Sequence, residues 1–280
     1  MKKISILAAL LGAALSASAE DTAAPVGIQL VSLHEKLGAD LGTGLDLVKS
    51  MGFTLVETAG TYGLTAGELR AQFDARGLKA VSSHNQYPEL ESNLNKVIAD
   101  AKTLGSGNII VPWVPHTGVF DAAKAHKAAS DFNAWGKILR ASGLRLGYHP
   151  HGGEFEPLPG GGTGFDVLAR ESDPQLLFFE MDVFWVVHAG QDPVALMQKY
   201  PGRWKMFHLK DMRIGAPTGF YTGQAPITDF VPLGTGRVDW PAVLGEGRKQ
   251  GVEYSFIEDE GVNPPRDIPI SLKYLASLKP

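Results

Sequence analysis

The chain of 280 residues is 44% hydrophobic and 20% charged, with a formal net charge of -4, a globular composition with enough apolar side chain for a large core. Division by about 150 residues per domain gives two domains, but an α/β barrel of about 250 residues forms only one. The mild negative charge, without a basic block, argues against nucleic acid as a partner.

Met1-Lys-Lys3, the apolar stretch Ile4 to Leu15 and Ala17-Ser-Ala19 before Glu20 read as a secretory signal peptide over residues 1–19. The apolar run is shorter than the roughly 20 residues a membrane span needs. The expectation is an exported, periplasmic protein with no membrane attachment after cleavage and one domain over residues 20–280. It contains no cysteine, so its stability rests on its core rather than on disulfides.

The rest of the chain alternates strand and helix patterns. Val26 to Ser32 is a first strand and Leu45 to Met51 a short helix. Phe53 to Glu57 is a strand, and Ala66 to Arg76 a helix closed by Gly77. Leu78 to Ser83 leads to His84, followed by a helix from Leu90 to Leu104. Asn108 to Val111 is the fourth strand, and Asp121 to Ser142 a long helix. Leu144 to Tyr148, Leu176 to Asp182, Trp204 to His208 and Val252 to Glu258 complete eight strands. Their helices run from Phe165 to Glu171, Pro193 to Tyr200, Trp240 to Lys249 and Ile268 to Leu278. Eight strand-helix pairs with near-continuous apolar strands predict a single (β/α)8 TIM barrel. Only Met212 to Val238 is long, and it reads as a loop excursion, either a functional lid or a disordered segment.

Four of the strands end in residues of metal-ligand type: His149 just after the fifth, Asp182 on the sixth, His208 on the seventh and Glu258 on the eighth. In a parallel barrel such ends meet at the C-terminal mouth, where active sites form. A mixed nitrogen and oxygen set without thiolate suits a divalent ion such as Mn, Co, Mg or Zn.

Gly147-Tyr-His-Pro-His-Gly-Gly-Glu-Phe155, Glu180-Met-Asp-Val-Phe-Trp185, Phe207-His-Leu-Lys-Asp211, Leu233-Gly-Thr-Gly-Arg-Val-Asp-Trp240 and Ile257-Glu258 resemble the xylose isomerase-like TIM-barrel proteins of the sugar phosphate isomerase/epimerase group. The resemblance runs from about Gly27 to the C-terminus. In the related ketose 3-epimerases, Glu, Asp, His and Glu at the ends of strands five to eight bind one metal, and the two glutamates exchange the substrate proton. By position, Asp182, His208 and Glu258 take the last three roles. His149 stands where the first glutamate would be, which removes one candidate base. His149 rather than Glu154 is the expected fourth ligand, because Glu154 follows Gly152-Gly153, where the chain can turn away.

Glu258 is then the main candidate for proton transfer, with His151, Glu154 or Lys210 as its counterpart. Glu180 shares strand parity with Asp182 and is a further candidate for the missing glutamate or for orienting a ligand. Glu57, His84, Trp113 and Trp185 lie at or near strand ends and are candidates for substrate contact. The leading functional expectation is a metal-dependent isomerase or epimerase of a small-molecule sugar or polyol derivative. The alternatives are a lyase or hydrolase-like enzyme on a 3-keto-glycoside and a non-catalytic periplasmic sugar-binding protein. An oligomer is compatible with the sequence, which does not set the oligomeric state.

Overall fold

A computed structural model of the chain describes residues 24–220 and 224–278. The signal-peptide reading of residues 1–19 lies outside the described residues. The strands are β1 (Val26–Gln29), β2 (Leu55–Ala59), β3 (Lys79–His84), β4 (Asn108–Val111), β5 (Arg145–Tyr148), β6 (Leu177–Asp182), β7 (Trp204–Leu209), β8 (Asp211–Met212), β9 (Phe230–Val231) and β10 (Tyr254–Ile257). The helices are α1 (His34–Ala39), α2 (Leu41–Ser50), α3 (Ala66–Asp74), α4 (Tyr87–Leu104), α5 (Ala122–Ala141), α6 (Gly164–Glu171), α7 (Val183–His188), α8 (Pro193–Lys199), α9 (Trp240–Gln250) and α10 (Pro264–Ser277).

Eight strands close into a parallel barrel in the order β1-β10-β7-β6-β5-β4-β3-β2, which leaves no open sheet edge. The TIM barrel read from the sequence is therefore the fold. The ring of helices follows from local signals: Thr65 and Glu68 form a capping box on α3, Asp121 caps α5 through the Lys124 N–H, and Asp192 caps α8 ahead of Pro193.

The core has two parts. The larger one lies between barrel and helices and includes Phe73, Phe132, Phe165, Phe179, Trp204 and Trp240. The smaller one, Ile110, Phe178, Met206 and Phe256, fills the barrel interior. That interior is crowded enough to demand glycine on β5, because a Cβ on Gly147 would stand 2.6 Å from Ile110 Cδ1 and 2.7 Å from the Phe178 ring.

Several elements differ from the sequence reading. The first strand stops at Gln29, whose side chain accepts from the Val31 N–H and starts a 3-10 turn over Leu30–Leu33. α1 follows this turn directly, and α7, which the sequence reading left unassigned, follows β6 directly because the Asp182 carboxylate caps it through the Trp185 N–H at 3.1 Å. α10 starts at Pro264 rather than Ile268, since Asn263 caps it and prolines in the first turn lack only donors that would be unpaired there. The long connection carries structure of its own. β8 pairs antiparallel with β9, and Asp211 ties the segment down by accepting from the N–H groups of Gly234, Gly236 and Val238 and from Trp240 Nε1.

Candidate metal centre and active-site mouth

The period of two along a strand builds the site directly above the barrel core. Phe178, Met206 and Phe256 meet in the interior. Two residues on, in the same phase, come Glu180, His208 and Glu258; two further come Asp182, Lys210 and Glu260. On β5 the same step leads from Gly147 to His149. The ladder register shifts between Val56 and Glu57 on β2 and between Phe179 and Glu180 on β6. Such irregularities re-aim side chains next to active sites, and both precede a buried glutamate.

His208 lies at the centre. Its Nδ1 is 2.7 Å from Glu258 Oε2 and 4.0 Å from Asp182 Oδ2, and its Nε2 is 2.6 Å from Glu57 Oε1 and 3.2 Å from Glu180 Oε2. His84 Nε2 is 3.0 Å from Glu57 and 3.1 Å from Glu180. His149 Nδ1 is 3.0 Å from Glu180 Oε2, and its Nε2 is 3.9 Å from Asp182 Oδ2. Among the described residues two groups have metal-binding proximity, with ligand atoms all within 4.8 Å: Asp182, His208 and Glu258, and His84, His149, Glu180 and His208. Three of the four strand-end residues singled out in the sequence share one group, while His149 belongs to the second, with its Nε2 3.9 Å from Asp182 Oδ2.

Electrostatics divide the histidines. Burial lowers the pKa of His208, but Glu180, Glu258 and Glu57 outweigh it and raise the ring well above its usual value. Likewise, Glu57 and Glu180 overcome burial to raise His84 to about 9. Burial, with His208 and His151 alongside, pushes His149 well below the usual range. His149 is therefore neutral; with Nδ1–H donating to Glu180, Nε2 keeps a lone pair on the side of Asp182. Burial raises Asp182 to about 7 despite Lys210. For Glu258 burial is outweighed by Lys210 and His208, which hold the carboxyl well below its usual value.

A divalent cation fits this donor set. Asp182 Oδ2 and Glu180 Oε1 are buried without a hydrogen-bond partner, and orphaned buried carboxylate oxygens are costly unless something compensates them. Asp182, His149, His208 and Glu258 combine carboxylate and imidazole donors, the chemistry that such ions take.

The mouth opens into a cavity of about 670 Å³, lined at its cluster end by His84, His149, His151, Trp185, Glu258 and Glu260. His84 and Trp185 are thus where substrate contact was expected. Glu57 is not: it is fully buried beneath them, its oxygens held by Gln29 Nε2 at 2.8 Å, Ser82 Oγ at 2.5 Å, His84 and His208. Trp113 stands back from the cavity, stacked on His116 at 4.5 Å with its edge towards His151. Glu154 turns away after Gly152, which has φ +97°, and its two oxygens accept from the Tyr148 hydroxyl and the His151 N–H. Lys210 is buried between Asp182 at 3.7 Å and Glu258 at 3.5 Å, paired with Glu260, and lies over the rings of Phe230, Trp185 and Phe184. Burial opposes its charge, but the three carboxylates raise its pKa further above the usual lysine value. Gln29, Ser82 and Glu260 were missed in the sequence. Strand parity would have found them, since they lie in phase with Gly27, His84 and Glu258.

With the geometry in hand, the chain was compared with known proteins. The family model described as xylose isomerase-like TIM barrel matches residues 45–278. An inosose dehydratase of Bacillus anthracis is 31% identical over 107 residues, 38% of this chain and 35% of the relative, so the curated relatives are matched over about a third of their length. Among solved structures, a sugar phosphate isomerase/epimerase from Parabacteroides distasonis superposes with a TM-score of 0.75 at 24% identity, over 95% of this chain and 98% of that one. An IolI protein with a bound zinc atom superposes with a TM-score of 0.65 at 15% identity, over 90% of this chain and 96% of that one. At these identities the two structures establish the shared fold. The extent of the family match, together with the closed barrel and the His/Glu cluster at its mouth, places the chain in the xylose isomerase-like TIM barrel family of enzymes, which includes isomerases, epimerases and dehydratases.

Proposed function

We propose that the protein is a metal-dependent isomerase or epimerase that moves a proton at the carbon next to a carbonyl in a sugar or polyol derivative. Asp182, His208 and Glu258, with His149 as fourth donor, would hold the divalent ion. Such an ion supplies Lewis-acid stabilisation of the enediolate.

The observation that carries the reading is the double placement of Glu258: it is the carboxylate of its ligand group that also lines the cavity. Held anionic by Lys210 and His208, it is available to take a proton from a guest. His151 lines the same cavity. Burial and the nearby Lys210 lower its pKa to about 3, so it is a neutral imidazole able to accept or relay a proton. The Lys210 ammonium lies behind Glu258 and Asp182 and favours negative charge developing above them. Trp185 provides an apolar wall that excludes water. The export reading of residues 1–19 belongs to this proposal, and a mature N-terminus at Glu20 in protein recovered from a bacterial periplasm is its check.

Incubation with free keto-sugars in deuterium oxide, with Mn, Co, Mg or Zn added in turn, tests the function. Label at carbon without a lost fragment is the expected result. No label and no product with any of the four ions would sink it.

A second reading, elimination from a 3-keto-glycoside or a related ketone, is favoured by one feature. His149 occupies the end of β5 where a second glutamate would complete a symmetrical relay, and a single carboxylate base suits a reaction in which the leaving group rather than a new C–H bond completes the step. The dehydratase relatives support it over the stretch they match. In the same experiment this reading predicts a released fragment.

A further inference from the structure

Away from the cluster the cavity runs along α4, and its chemistry changes. That wall carries Asn85, Gln86, Asn93 and Lys96 together with two carboxylates that are already engaged, Glu89 by the Gln86 N–H and Asp100 by Lys96. α4 is interrupted where it borders the cavity: Asn93 has non-helical backbone angles, φ -153° and ψ 56°. Its Oδ1 accepts from the Lys96 N–H at 3.3 Å and so caps the second half of the helix. Asn85, next to His84 at the end of β3, is held in a similar way. Its Oδ1 accepts from Ser83 Oγ at 3.0 Å and its backbone N–H donates to the Ile110 carbonyl at 2.8 Å. In both carboxamides the oxygen already accepts one hydrogen bond inside the protein, and the NH2 end, a donor only, is the end offered to a guest in the cavity. Lys96 is paired with Asp100, so the wall offers hydrogen-bond donors without an uncommitted positive charge from that lysine.

We propose that this half of the cavity is a subsite for a second, neutral, oxygen-rich unit, so that the substrate is a glycoside or disaccharide rather than a free monosaccharide. The first ring lies at Glu258 and His151, and the second unit accepts hydrogen bonds from Asn85 and Asn93. This rests on the sugar reading above. A single ring held at the cluster would leave the α4 wall in water, and a cavity of about 670 Å³ has room for both units within the range usual for small-molecule sites.

The test is calorimetric titration of the Mn-loaded protein with glucose, cellobiose, maltose and trehalose. Asn93→Asp and Asn85→Asp are the informative variants, because aspartate keeps the internal acceptor, the cap included, while replacing the donors. At least one disaccharide is expected to bind about tenfold more tightly than glucose. Each variant is expected to lower that affinity about five- to tenfold, the scale of one lost hydrogen bond, with metal content unchanged and, for Asn93→Asp, glucose affinity within about twofold. Ile227→Ala, outside this cavity, should change neither sugar. Disaccharides binding no more tightly than glucose, or Asn93→Asp weakening both equally, would overturn the subsite and leave the sugar site standing. Failure of all four sugars to bind would overturn the sugar reading and the subsite with it.

Discussion

Glu57 Oε1 lies 2.6 Å from His208 Nε2, although 151 residues separate them in the chain. If His208 held a divalent ion through the ring edge that faces Glu258, Nε2–H would donate to this carboxylate, the kind of support that orients an imidazole ligand and makes it a better one. Glu57→Gln keeps the shape and removes the charge. Ion affinity, measured by competition with a chelating dye, is expected to fall about 10- to 100-fold with the fold intact. An unchanged affinity would mean that Glu57 serves the barrel core alone.

Asp182 combines two duties, since Oδ1 caps α7 and Oδ2 is the orphaned oxygen assigned to the ion. Asp182→Asn retains a capping acceptor. Its metal-free thermal midpoint should therefore stay close to that of the parent. The rise in stability on adding an ion, about 2.7 kcal/mol at a free concentration of about 100 Kd, should be lost. Retention of that increment together with full metal content would remove Asp182 from the ligand set.

The segment after β7 depends on Asp211. Its carboxylate accepts from three backbone N–H groups and the Trp240 indole across the loop, and a Cβ on Gly236 would stand 2.2 Å from Asp211 Oδ1 and 2.4 Å from the Met212 carbonyl oxygen. Asp211→Ala leaves several buried donors unpaired and is expected to cost about 3 kcal/mol in urea unfolding. Gly236→Ala should destabilise in the same direction, because backbone atoms cannot yield to the new methyl. A loss below about 1 kcal/mol in both variants would show that the loop is held by other contacts.

Asp166 supplies a pH dependence remote from the mouth. Burial works against its charge, but Lys199 at 2.6 Å, the Tyr200 hydroxyl and the Thr163 side chain outweigh it and lower the pKa below 3.8. A carboxyl depressed in the folded state contributes stability that is fully present above its unfolded value and is lost as pH falls through the folded one. Denaturant midpoints measured downward from pH 5 should therefore drop less steeply below 3.8 in Asp166→Asn than in the parent. Parallel acid limbs would place the acid sensitivity elsewhere.

The eight strand-helix pairs, the closed parallel barrel and the placing of Asp182, His208 and Glu258 at strand ends were legible from the sequence, because near-continuous apolar runs, caps and strand-end polar residues are local signals. The pairing across the mouth was not. That Glu57 underlies His208, that Glu180 gathers His84 and His149, and that Glu154 turns back to Tyr148 depend on how barrel closure and the two register shifts set the strands in height against one another. α7 was absent from the sequence reading for a related reason: Val183 to Val187 is apolar without a break, so no polar face marks a helix there, and the Asp182 cap and burial against the barrel make it helical. The sequence determined which side chains could do chemistry, through residue type and phase along each strand. The tertiary structure decided which of them share a partner, because that depends on distances between segments up to 151 residues apart, and no local pattern records those.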